Sequence, residues 1–389
     1  MNLRSEKRTK GRKRLHFFPT TRTSEKLPPE FKQSQLSEQL SRIQNVADHL
    51  ADLGSVAVMP DYFVDRFVKL ESFGALSEAI KKKGIEGGGG SIRGIKQLET
   101  KGGNAVNVAF SLGALGVNVS LHAIAEGFPA QLLKLMAKSY PTLEVETLGG
   151  RCGYTTAFEF TEGGRIVNVM VSDVGDLANF DGATLEDWSR IEQANIVAVL
   201  NWASNVGATS LCERAFSRKK RDAISFFDPA DLTEATTRIP ELKKRVIDRG
   251  LLDVISMNDN EARAVCKFLS SHLLPQDFSE QDMEAAVKKI QDHFGNTIDV
   301  HTGRFSLSCD GADSVVRAPC HRVEQKIVTG AGDAWDSADI LGYLARLEPE
   351  DRLYLANAAA GLYVSRESAA PPTFQEVLNF IERQIPSSN

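Results

Sequence analysis

The sequence predicts an α/β protein: a three-layer α/β/α sandwich with a mostly parallel central sheet and a small β lid. Three observations carry this. From residue 54 onward, short apolar runs alternate with amphipathic stretches, the rhythm of strands and helices in turn. Runs such as Ser55–Met59 (SVAVM) are apolar at every position after the first, as in strands covered on both faces. Residues 153–172 instead alternate about Gly163-Gly164, the pattern of a hairpin that leaves the main sheet.

The elements follow in order. Residues 1–30 crowd Arg4, Lys7, Arg8, Lys10, Arg12, Lys13 and Arg14 against Glu6, with Pro19, Pro28 and Pro29 behind them. So polar a segment cannot offset its ordering entropy by burial, and disorder is expected. A nucleic-acid or acidic-partner tether is the functional reading of this tail; a solvated tail is the preferred one. Leu36, Leu40, Ile43, Val46, Leu50 and Leu53 then have helical spacing. Residues 1–53 are therefore read as a basic tail plus an amphipathic helix, and residues 54–389 as one domain. Strands are expected at Ser55–Met59, Val117–Ile124, Ile196–Trp202, Ala223–Asp228, Val254–Asn258 and Thr297–Thr302. Helices are expected at Asn104–Leu115, Ala208–Ser217, Glu261–Leu269 and Met283–Phe294. Residues 70–101, with the run Gly87–Gly90, and residues 153–172 break the rhythm and are read as lid segments.

Composition narrows the function classes. The 389 residues are 42% hydrophobic and 25% charged with a net charge of −5, a balance unlike that of disordered, collagen-like or disulfide-stapled chains. Nucleic-acid binding by the body is not expected from so acidic a chain; the tail is the one place for it. The cysteines at 152, 212, 266, 309 and 320 show no metal-binding spacing and read as reduced thiols. With no apolar run long enough to span a membrane and no signal-peptide pattern, a cytoplasmic location is expected.

The strongest chemical signal is Thr329-Gly330-Ala331-Gly332-Asp333 ahead of a helical pattern. Glycines at a helix N-terminus let backbone approach a ligand, and the free N–H groups there suit a phosphate. A carboxylate beside them suits a base that orients an attacking hydroxyl. An Asp capping its own helix is an equal reading of those residues alone.

This stretch resembles the C-terminal pattern of the ribokinase, or PfkB, family of small-molecule kinases. Gly102-Gly103-Asn104-Ala105-Val106-Asn107-Val108-Ala109 resembles the family's N-terminal pattern. The resemblance covers roughly residues 54–385. It implies a ribokinase-like fold and an ATP-dependent kinase acting on a hydroxyl of a sugar or sugar-like polyol. A nucleoside kinase of the same fold and a non-catalytic sugar- or nucleotide-binding regulator are the alternatives. By resemblance, Asp333 is the base and Gly330, Ala331 and Gly332 form the anion hole. Asp65, Gly102, Gly103 and Asn107 would bind substrate. Asn258, Glu261, Thr302, Gly303 and Asn357 would line the nucleotide site, with Glu261 acting indirectly on Mg²⁺. Asn201 and Asp228-Pro229 would point into the same cleft. The family also implies a homodimer formed through the lid. The chain departs from the pattern at Ile327-Val328-Thr329, where relatives carry Asp-Thr-Thr, at Asn104 in place of Lys, at Ser306 in place of Gly and at Trp335 in place of Phe.

Overall fold

A computed structural model describes residues 33–162, 165–270, 278–311, 314–327 and 329–384. The basic tail and the Gly163-Gly164 turn lie outside the described residues. The strands are β1 (Ser55–Met59), β2 (Phe63–Lys69), β3 (Lys96–Gly102), β4 (Asn118–Ile124), β5 (Leu143–Leu148), β6 (Gly153–Glu162), β7 (Arg165–Asp173), β8 (Ile196–Leu200), β9 (Ile224–Asp228), β10 (Val254–Asn258), β11 (Thr297–His301), β12 (Phe305–Cys309) and β13 (Val316–Pro319). The helices are α1 (Gln33–Ala47), α2 (Phe73–Ile80), α3 (Asn104–Leu115), α4 (Gly127–Ala137), α5 (Ser189–Gln193), α6 (Ala208–Arg218), α7 (Ile239–Leu242), α8 (Asp259–Ser270), α9 (Glu280–Phe294), α10 (Ala331–Leu344), α11 (Pro349–Val364) and α12 (Phe374–Gln384).

Nine strands form the main sheet in the order β13-β12-β11-β10-β9-β8-β1-β4-β5. Its strands run parallel except at the β11–β12 and β12–β13 pairs. Successive residues of β1 enter opposite cores: Val56 and Val58 join the cluster under α1, α3, α10, α11 and α12, while Ala57 and Met59 join the one under α6, α8 and α9. That two-sided burial is why these strands carry apolar residues at successive positions and makes the domain three-layered. Local signals set the helix ends. Ser279 and Asp282 form a reciprocal capping box on α9, and Gly295 ends it in the left-handed conformation. Helix α1 buries Leu36, Leu40, Ile43 and Val46 in the same core as Leu353 and Ile381, and Arg42 pairs with the buried Asp351. Residues 33–47 are thus continuous with the body.

A second, four-stranded sheet in the order β3-β2-β6-β7 stands apart from the first. It contains the expected hairpin. Its other half comes from β2 and β3, and between them the chain forms α2 and a wide turn over Lys81–Glu86. That helix was not expected from the sequence: Phe73, Leu76 and Ile80 have helical spacing, but the segment is eight residues long and none of them is buried.

Strand order sets where a ligand can bind. Beside β1 the chain crosses to β4 on one side and β8 on the other. Parallel sheets bind ligands at such switch points, beyond the carboxyl ends of the strands. Asp61, Asn201, Asp228 and Asn258 all sit at those ends.

Candidate active site

Asp61 stands two residues beyond β1, after Pro60, and is fully buried. Its carboxylate accepts the backbone N–H groups of Asn104 and Ala105, each at 2.8 Å, and the Asn201 amide at 2.9 Å. It thereby caps α3 and ties that helix to β1 and β8. Burial pushes its pKa up to about 6 against the pull of these donors. The glycine pair makes the approach possible. Gly103 has φ of +95°, and a Cβ there would lie 2.8 Å from the Asp61 carboxylate. A Cβ on Gly102 would overlap the Asp65 carboxylate. Asn201 itself has φ of +57°, a strained conformation of the kind found where geometry serves a site.

Asp333 lies in the first turn of α10 and is 8% exposed. Its Oδ2 accepts the Asn107 amide N–H at 2.9 Å, and Asn107 Oδ1 in turn accepts Lys101 Nζ at 3.0 Å. The reading of Asp333 as a cap of its own helix therefore gives way to a partner on α3. Burial raises the Asp333 pKa to about 8, and the negative charges of Asp228 and Asp61 add to this; Asn107 and Lys101 oppose it. Gly330 starts α10 with φ of +86° and no side-chain cap, so the N–H groups of the first turn have no side-chain oxygen to satisfy them. A Cβ at Gly330 would lie 2.6 Å from the Tyr363 hydroxyl.

Asp65, on β2, faces Thr155 of β6 and Lys101 of β3. Burial raises its pKa, while Thr155 and Lys101 lower it. Asp65, Asn107 and Asp333 are thus gathered around one lysine. The sequence reading missed Lys101, Asp61 and the buried acid Asp336. Asp336 lies one turn beyond Asp333, accepts the Ser256 hydroxyl at 2.5 Å and is pushed well up by burial and by Asp228.

Asn258, Thr302, Gly303, Ala331, Gly332 and Asn357 line one cavity of about 320 Å³. His301 and Trp335 form a stacked pair on its wall, with centroids 4.9 Å apart. Burial pushes His301 down to about 4, so that wall is uncharged at neutral pH. Thr302 closes the β11–β12 hairpin by accepting the N–H groups of Arg304 and Phe305. Ser306 lies on β12 rather than in the turn. Asn357 lines the cavity with its amide already engaged: Oδ1 accepts Trp335 Nε1, and Nδ2 donates to the Ala318 and Pro319 carbonyls.

Glu261 does not line that cavity. Its carboxylate accepts the Asn258 N–H at 2.8 Å and the Asn258 amide at 2.6 Å. Burial first, and then the charge of Asp228, raises its pKa well above the ordinary range. Among the described residues no three His, Cys, Asp or Glu side chains converge to hold a metal directly, and no helix is long and apolar enough to cross a membrane. Two buried carboxylates that repel each other suit a hydrated divalent cation, which takes oxygen donors and keeps its waters.

Comparison with known proteins follows the same lines. A ribokinase from Cryptococcus neoformans var. grubii serotype A, solved in complex with ADP, superposes with a TM-score of 0.66 at 19% identity, over 84% of this chain and 98% of that one. Arabidopsis thaliana ribokinase, complexed with ribose and ATP, gives 0.64 at 17% identity, over 85% and 99%. Adenosine kinase from Sinorhizobium meliloti gives 0.63 at 17% identity, over 86% and 99%. At such identities these likenesses establish the fold. A local match of 29% identity over 121 residues joins 31% of this chain to 44% of a pyridoxine 5'-phosphate synthase from Sulfurimonas denitrificans, so the chain spans less than half of that relative. Residues 69–375, most of the chain, match the family described as pfkB family carbohydrate kinase. The ribokinase-like sandwich, its small second sheet and this match agree, and the chain belongs to the pfkB family of carbohydrate kinases.

Proposed function

We propose that the chain is an ATP-dependent kinase that phosphorylates a hydroxyl of a sugar or sugar-like polyol. The observation that carries this is the placement of Asp333: a buried carboxylate, aimed by Asn107, in the first turn of a helix whose N-terminal N–H groups have no side-chain cap. The acceptor hydroxyl lies between Asp65, Asn107 and Asp333. Asp333 takes its proton as the oxygen's bond to the γ-phosphorus forms and the bond from that phosphorus to the β–γ bridging oxygen breaks, releasing ADP. The N–H groups of Gly330, Ala331 and Gly332 receive the charge on the transferring phosphoryl oxygens. The nucleotide occupies the cavity between the β11–β12 hairpin and α11. Asn258 and Glu261 would hold Mg²⁺ indirectly, and the chemistry it would supply when bound is neutralisation of phosphate charge.

A nucleoside acceptor is the second reading. A chamber of about 580 Å³ opens beside Lys101, walled by Phe67, Leu98, Phe110, Met136 and Tyr140, and it has room for an apolar group attached to the sugar. The test is a screen of pentoses, hexoses, inositol and nucleosides with ATP, GTP and ADP as donors. Phosphorylation of a free sugar by ATP supports the first reading, and of nucleosides alone the second. No transfer in any combination, from folded protein with Mg²⁺, overturns both.

The lid also supports self-association. Leu98, Tyr154, Val169, Met170 and Val171 are exposed on its strands, Val171 at 61%. The register puts Tyr154, Val169 and Val171 on one face of the lid sheet and Leu98 and Met170 on the other, and the exposed apolar face carrying Val171 suits contact with a second copy. We expect a homodimer by sedimentation, and a monomer for Val171→Glu; a wild-type monomer at micromolar concentration removes the idea. A cytoplasmic location completes the proposal, resting on five free cysteines, four of them buried; recovery of the protein in an oxidising compartment on fractionation would count against it.

A further inference from the structure

Lys101 is the penultimate residue of the lid strand β3, opposite Val64, immediately before the glycine pair. The chain turns there into α3, so the lysine side chain lies along that helix. Its ammonium sits 4.7 Å from the centre of the Phe110 ring and 3.0 Å from Asn107 Oδ1. Asn107 and Phe110 are three residues apart and share one face of α3, so the ring and the amide together fix where the ammonium stands.

An asparagine amide has two ends of nearly the same shape, one accepting and one donating, and its neighbours decide which way it points. An ammonium can only donate. Facing Lys101, Asn107 must present Oδ1, which leaves its NH₂ group for Asp333 at 2.9 Å. The flipped amide would set its oxygen against a carboxylate and its NH₂ against a cation, losing both hydrogen bonds. We propose that Lys101 is the positioning residue of this site, fixing the Asn107 amide so that it donates to Asp333, which favours the acid's ionised form and holds it in one orientation. The inference rests on the reading of Asp333 as the base.

The groups facing Asp333 come from several elements. Asp61 lies on the turn after β1, Asp228 at the end of β9, the Tyr363 hydroxyl on α11 and Lys101 on β3. Lys101 is the cation of this set. Its own pKa is lowered to about 8 by burial, with Asp333 and Asp65 pulling the other way. Removing it leaves Asp333 with two carboxylates and frees the amide to turn, and both changes favour the protonated form of Asp333.

The test compares wild type with Lys101→Met and Lys101→Arg by ¹³C titration of the Asp333 carboxyl, assigned with Asp333→Asn. In Lys101→Met the midpoint should move up by about one pH unit, and the acidic limb of the kcat profile should move with it. The drop in kcat at pH 7 should be about 10–100-fold, with KM for ATP unchanged. Lys101→Arg should recover most of both. If Lys101→Met melts early, Lys101→Gln gives the same contrast with polar bulk retained. An unmoved Asp333 midpoint in a folded variant lacking the charge overturns the proposal. So does an arginine variant that recovers nothing. The titration needs no turnover, so a failed substrate screen would sink the kinase reading and leave this result to stand or fall separately.

Discussion

Asp333→Asn should lower kcat by about 10²–10⁴-fold, the usual worth of a positioned proton acceptor, with the fold intact. Asparagine keeps the volume and can still meet the Asn107 amide, so what is lost is the negative oxygen that takes the hydroxyl proton. The pH dependence gives a second, independent reading. Burial raises the Asp333 pKa from its ordinary 3.8 to about 8, and a base must be ionised, so kcat/KM of the free enzyme should climb as pH rises toward 8 and level off above it. The effect on stability has the opposite sign. A carboxyl whose folded pKa is raised favours folding fully below its ordinary value, and that contribution is lost as pH rises from about 4 toward 8. At pH 8 the ionised group is a cost to the fold, so Asp333→Asn should melt no lower than wild type there. Near-normal turnover in the Asn variant would remove Asp333 from the chemistry. A collapsed melting temperature at pH 8 would show that the carboxylate is structural instead.

Much of this arrangement is legible in the sequence, because its strongest physical demands leave local marks. Val56–Met59 and Ile196–Leu200 are continuous apolar runs because both faces of each strand are covered. Gly103 and Gly330 mark the places where the backbone adopts positive φ beside Asp61 and Tyr363. Asp333 stands out because it follows such a glycine at a helix start. Asp61 carries a weaker mark: it is the acid immediately beyond the first strand, where parallel sheets bind ligands. What made it hard to read is that its partners, Asn104, Ala105 and Asn201, come from distant parts of the chain. Lys101 carries no mark of its own. Its role follows from the β2–β3 register and from the turn into α3, and a lysine at the end of an exposed strand otherwise reads as a solvated charge. Helix α2 was missed for a different reason: its apolar spacing at Phe73, Leu76 and Ile80 lasts only eight residues, none of them buried.

Arg352 presents the largest expected effect on stability, and it lies away from the chemistry. It is 2% exposed. Its guanidinium donates to Asp299 at 2.9 and 3.2 Å, to the Ser308 hydroxyl at 2.9 Å and to Asp339. It lies 3.9 Å from the centre of the Tyr343 ring, whose hydroxyl donates to Asp299 at 2.6 Å. Burial alone would lower the arginine pKa, but Asp299 and Asp339 more than reverse this. The cluster joins β11, β12, α10 and α11, the elements that carry His301, Asp333 and Asn357. Arg352→Leu would leave two buried carboxylates without their cation, and breaking a buried pair from one side costs about 3–5 kcal/mol. The variant should therefore show a much lower denaturation midpoint. Adding Asp299→Asn and Asp339→Asn should restore a large part of the stability, because neutral amides no longer carry stranded charge. If Arg352→Leu unfolds within about 1 kcal/mol of wild type, which is the range of an exposed pair, then water reaches the cluster and it does not fix α10 against the sheet. In that case the precise placement of Asp333 would have to come from the Asp61 and Asn107 side of the site alone.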